Sequence, residues 1–87
     1  MAKINKVMQR MNIITQCIMN KPMTKEELKN AVERRLGIGV CNSTIEKDIF
    51  NLKMDFDAPI KCNRSTKKYY YTEPYSFTSA IILFLNV

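Results

Sequence analysis

Arg64, Lys67 and Lys68 place three cations in five residues with no acid among them. Asn42, Ser43, Thr44 and Lys47 place three short polar side chains and a fourth cation at the leading end of a helical stretch. Cations held at a turn neutralise phosphates, and short polar side chains at a helix tip can reach base edges in a major groove. Lys47, one turn further on, suits a phosphate, and Thr44 would help to position the backbone. Lys25 and Lys29 stand beside another helix start, whose free amides attract anions, and could add contacts. The chemistry on offer is anion binding with some hydrogen bonds left over for sequence. The competing reading is structural: cap residues, a solvated lysine, and a hairpin tip guarded by charge against edge pairing.

Catalysis is not expected. The chain has no histidine, no glycine-rich phosphate cradle, and no Ser or Cys with a plausible base nearby in sequence. Asp55 and Asp57 lie close together but read as a helix terminator. Cys17, Cys41 and Cys62 are odd in number, widely spaced and without a CxxC pair, so neither a metal nor a cofactor is expected. They read as reduced thiols in a cytosolic, nucleoid-associated protein. Met1 to Thr15, broken by Lys3, Lys6 and Arg10, is no secretory signal, and the longest apolar run, Ala80 to Leu85, is too short to span a bilayer. The 87 residues support one small domain, and a net charge of +6 with a pI near 9.4 favours an anionic partner.

Hydrophobic periodicity supplies the elements that would carry these residues. Ile4, Val7, Met8, Met11, Ile14, Cys17 and Ile18 recur at steps of three and four, which predicts an amphipathic helix from Lys3 to about Met19. Pro22 ends it. Thr24 to Glu27 reads as a capping box opening a second helix that runs to about Leu36, with Leu28, Ala31, Val32 and Leu36 inward and Gly37 as its left-handed stop. A third helix is expected from Asn42 or Ser43, with Ser43 to Glu46 as a second capping box and Ile45, Ile49, Leu52 and Phe56 inward. Asp57-Ala58-Pro59 ends it. Ile60 to Asn63 and Lys68 to Thr72 read as two short strands joined by the polar turn Arg64 to Lys67. The sum is an α+β winged helix-turn-helix: a three-helix core, a two-stranded β-hairpin wing and an apolar C-terminal tail. Residues 1–74 form the domain and 75–87 the tail.

Three side-chain groups admit more than one reading. Glu46 is expected to close the capping box, although it could accept from a cytosine amino group. Phe50 and Met54 fall on the outer face of the third helix. They could contact thymine methyls, meet a partner chain or pack under the wing, and packing is the expectation. Of Tyr69, Tyr70 and Tyr71, one or two rings should enter the core, while the other could stack on a base of a single strand.

The order and spacing of Thr44-Ile45-Glu46-Lys47-Asp48-Ile49, Ala58-Pro59-Ile60, Lys68-Tyr69-Tyr70-Tyr71 and Glu73-Pro74-Tyr75-Ser76-Phe77 resemble the N-terminal winged helix-turn-helix of WYL-domain transcription regulators, especially those of Bacteroidetes. The likeness covers roughly Asn5 to Phe77. It implies a bacterial transcription regulator that binds double-stranded DNA in a sequence-specific way, with the helix from Ser43 in the major groove. The sensing WYL domain that usually follows is not among these residues. Two positions depart from the family pattern: Cys41 stands where Ser is common, and Asn42 or Ser43 where a basic residue is common. The less basic tip shifts phosphate affinity toward the wing and Lys47. On this reading Asn42 and Ser43 read bases, and Arg64, Lys67 and Lys68 clamp phosphates. With about five phosphates neutralised, log K should fall with log[salt] at roughly −4 to −5. A homodimer is expected, joined through Ala80 to Leu85. The alternative is a winged-helix protein-interaction module that does not touch DNA, for which Phe50 and Met54 speak.

Overall fold

The computed structural model describes residues 6–75 and Phe77. The first helix, α1 (Lys6–Asn20), buries Met11, Ile14 and Ile18 of the expected stripe, and also Ile13 and Thr15. The buried face is wider than one stripe because α1 meets α2 and α3 as well as the sheet. Its last turn closes with the Lys21 amide donating to the Cys17 carbonyl at 3.1 Å, just before Pro22.

After the two-residue strand β1 (Met23–Thr24), α2 (Lys25–Leu36) opens with the expected capping box. The Glu27 amide donates to the Thr24 hydroxyl at 3.1 Å and the Thr24 amide to the Glu27 carboxylate at 2.9 Å. Leu28, Ala31 and Val32 are buried. Gly37 stops the helix at φ 68°, a conformation that glycine adopts without a Cβ penalty, and donates to the Glu33 carbonyl at 2.8 Å. The Glu33 carboxylate then accepts from the Val40 amide at 3.0 Å, which ties the connection to α3 back onto α2.

The third helix, α3 (Asn42–Asp55), buries Ile45, Ile49 and Leu52, with Phe56 half-buried just beyond its end. Asp57 leaves the helix at φ 53°, a region where Asp is better tolerated than most side chains, and the Ala58 amide returns to the Leu52 carbonyl at 3.0 Å.

The strands β2 (Ile60–Asn63) and β3 (Lys68–Tyr71) form an antiparallel hairpin with Ile60 opposite Tyr71 and Asn63 opposite Lys68. The sheet has a third member that the sequence did not announce. β1 pairs with β3, Met23 opposite Tyr69 and Thr24 opposite Lys68, giving the order β1-β3-β2. Three helices, a hairpin wing and this short added strand make an α+β winged helix-turn-helix.

Tyr69 and Tyr71 pack against the core, while Tyr70, between them, lines a groove beside Pro22 on the other side of the sheet. The Tyr71 hydroxyl is hydrogen-bonded to Thr15 at 3.0 Å, and its ring stacks on Tyr75 at 5.4 Å. Tyr75 donates to the Phe56 carbonyl at 2.6 Å, and Phe77, only 2% exposed, meets the Phe56 ring edge-on at 5.1 Å. Tyr75 and Phe77 thus belong to the packed core, although they lie past residue 74. The segment Ala80 to Leu85, expected to join two copies, lies outside the described residues.

Candidate nucleic-acid interface

The wing turn is built around Asn63. Its side-chain oxygen accepts from the amides of Ser65 at 2.9 Å and Thr66 at 3.3 Å, and its carbonyl accepts from Lys67 at 2.6 Å. This side-chain mimic of a backbone turn fixes the tip without glycine. Lys67 consequently sits at φ 59°, where a non-glycine residue is disfavoured by about 1 kcal/mol. A cation therefore occupies a position where glycine or asparagine would be easier. Arg64, Lys67 and Lys68 are all exposed, and none of them is in a salt bridge among the described residues.

At the leading end of α3, Asn42, Ser43 and Lys47 are exposed and Thr44 is half-buried. Lys47 also has no salt bridge among the described residues. The expected cap at Asn42 or Ser43 is not formed. Cys41 holds the N-cap position with extended dihedrals (φ −92°, ψ 157°) and makes no side-chain cap bond. Because the helix begins at Asn42, Ser43 already lies inside the first turn and has no N-cap geometry to offer. Glu46, expected to close that box, pairs instead with Lys25 across the gap between α3 and α2. The amides of Asn42 and Ser43 are left without an intrahelical acceptor.

The cations thus divide into two sets. Lys25 is engaged by Glu46, whose hydrogen bond raises the ammonium group above its ordinary value. Lys29 lies 3.4 Å from Glu33. Glu33 is in turn held below the usual carboxylate range, chiefly by the Val40 amide and then by Lys29. Arg64, Lys67 and Lys47 are in no salt bridge among the described residues, and Lys68, also in none, lies close enough to Glu27 to help hold that carboxyl below the usual range, after the Thr24 hydrogen bonds. Burial raises the Tyr69 hydroxyl, and Cys62, Lys25 and Glu46 are close enough to act on it as well. Lys68 of the hairpin pairs with Thr24 at the start of α2, and the next residue, Lys25, bridges to Glu46 of α3, so these three elements adjoin.

Two features lay outside the sequence expectations. Phe50 and Met54 do not pack under the wing: they are 60% and 64% exposed, because the hairpin folds against the buried side of the helices and leaves this face of α3 uncovered. Asp48 is 2% exposed and takes two hydrogen bonds from Arg10 of α1, 2.6 Å from Nε and 3.2 Å from a terminal nitrogen. That bidentate pair fixes α3 against α1. Its signal was available in the spacing, since Asp48 falls between Ile45 and Leu52 on the buried stripe.

Among the described residues no group of three or more His, Cys, Asp or Glu side chains comes together as a metal site, and no helix is long and apolar enough to cross a membrane. Comparison with protein-family models gives no match, and neither a curated protein nor a solved structure matches the chain. The class is therefore defined by the fold and surface alone: a small winged-helix domain whose basic wing is in no salt bridge among the described residues.

Proposed function

We propose that this domain binds double-stranded DNA as a bacterial transcription regulator, in the manner of the WYL-domain regulators its motifs resemble. The observation that carries the reading is the separation of the cations. Arg64, Lys67, Lys68 and Lys47 are exposed and in no salt bridge among the described residues, whereas Lys25 and Lys29 of α2 pair with Glu46 and Glu33. The tip of α3 enters the major groove, Asn42 and Ser43 meeting base edges while Thr44 and Lys47 meet the backbone. The open amides of Asn42 and Ser43 add a phosphate site. Arg64, Lys67 and Lys68 follow the adjoining strand. Lys25 joins them only after leaving Glu46. Fluorescence anisotropy against duplex and single-stranded DNA tests the reading: preference for the duplex supports it, and equal or absent binding rejects it.

The reading includes a homodimer joined through residues 80–85 and a cytoplasmic location at the nucleoid. A monomer by light scattering at tens of micromolar would remove the dimer. A second reading, a protein-interaction module that does not touch DNA, is favoured by the exposure of Phe50 and Met54. It requires that alanine at both positions abolish partner binding and leave DNA affinity unchanged.

A further inference from the structure

At 100° per residue, Ser43, Lys47, Phe50 and Met54 lie within about 60° of arc, opposite Ile45, Ile49 and Leu52. Ser43, Lys47, Phe50 and Met54 are all exposed. Phe50, 60% exposed, and Met54, 64% exposed, make a small apolar patch beyond Ser43 and Lys47, and covering it with a ligand would gain free energy that the fold leaves unused. We infer that Phe50 is a specificity residue that buries its ring against the 5-methyl group of one or two thymines in the bound site. The inference rests on the duplex-DNA reading and names what that site must contain.

Three observations select thymine over a protein surface. The first is size: Phe50 and Met54 offer far less than the roughly 800 Å² per partner of a standard protein interface. The second is the surroundings. Lys47 precedes Phe50 by one turn, Lys53 follows it, and both are exposed. A cationic rim around a small apolar tip complements a methyl group set between phosphate chains. The third is reach. Ser43 and Phe50 are seven residues apart, roughly 10 Å along the helix, which keeps Phe50 within two turns of the tip that carries the base contacts. Met54, roughly 16 Å from Ser43, lies a further turn from that tip. Phe50 is therefore assigned the contact and Met54 is not.

Deoxyuridine pairs as thymine does but lacks the methyl group, so it probes this contact alone. A duplex would be selected from a random pool by the wild-type chain, and each thymine then replaced singly by deoxyuridine. Wild type should lose about fourfold in affinity at one or two positions, the worth of one buried methyl. Phe50→Ala should bind the thymine duplex more weakly by at least that factor and be indifferent to the replacement. Met54→Ala should behave as wild type. Unchanged circular-dichroism melting of both variants confirms that they fold, as their exposure leads one to expect.

A wild-type chain indifferent to every replacement, or a selected site without thymine, overturns the inference while leaving duplex binding intact. So does Phe50→Ala that keeps the full uracil penalty. Loss of self-association in Phe50→Ala with an unaltered uracil response assigns the ring to a second copy instead. If wild type binds no duplex at all, the underlying reading fails first and takes the inference with it.

Discussion

The Asp48 carboxylate receives Arg10 at both oxygens and is almost wholly removed from water. A buried pair of this kind contributes little against a well-packed apolar pair, but breaking it strands a charge. Asp48→Ala should therefore cost about 3–5 kcal/mol in urea denaturation, while Arg10→Met with Asp48→Leu should recover most of it. A single-variant loss under about 1 kcal/mol would contradict this. The pair bears on function because it ties α3, which carries the proposed groove contacts, to α1. Tyr71 works on a similar scale. Burial pushes its hydroxyl up to about 12, with the Thr15 bond opposing the shift. The folded state thus holds this proton more tightly than the unfolded chain. Stability is complete below pH ~10, the ordinary tyrosine value, and falls as pH rises toward 12. In Tyr71→Phe the alkaline limb of the melting curve should flatten. An unchanged limb would remove Tyr71 as its source.

Among the elements, α3 shows most clearly what the sequence discloses and what it withholds. Its core stripe was legible because Ile45, Ile49 and Leu52 repeat at helical spacing, and its end because Asp57-Ala58-Pro59 cannot continue a helix. Its start was misread because the pattern Ser/Thr-x-x-Glu occurs twice, at Thr24 and at Ser43, and only tertiary structure separates them. At Thr24 both reciprocal bonds form; at Ser43 the helix has already begun and Glu46 finds Lys25. β1 was missed for a related reason. Two residues carry no periodicity, and Met23 and Thr24 become a strand only by pairing with β3. The basic wing was legible as composition, but the role of Asn63 in shaping its tip was not. The poor cap at Cys41 leads to a direct expectation. Cys41→Ser supplies the absent acceptor at an already extended N-cap and should stabilise the domain by about 0.5–1 kcal/mol in thermal or urea unfolding. No gain would mean that the first-turn amides are satisfied otherwise.

Across the whole molecule, the net charge of +6 says less than where the counter-charges fall. Internal pairing takes Arg10, Lys25 and Lys29 out of the field seen by an approaching polyanion and leaves within it Lys47 and the wing, together with Lys6, Lys21, Arg34, Arg35, Lys53 and Lys61. Glu46 is an acid placed beside the helix tip, against the proposed ligand. Glu46→Gln removes that charge and releases Lys25, so duplex affinity at low salt should rise about three- to tenfold, with a salt slope steeper by roughly 0.9. Weaker binding would instead assign Glu46 a base contact. The most direct measurement is duplex affinity across a salt series for wild type and for Arg64→Ala, Lys67→Ala, Lys68→Ala combined. Four phosphate contacts, or five once Lys25 is free, give wild type a slope of log K on log[salt] of roughly −3.5 to −4.5, and the triple variant should be flatter by about 2.7. A wild-type slope near zero, or one that the triple variant leaves unchanged, would contradict a DNA-binding wing.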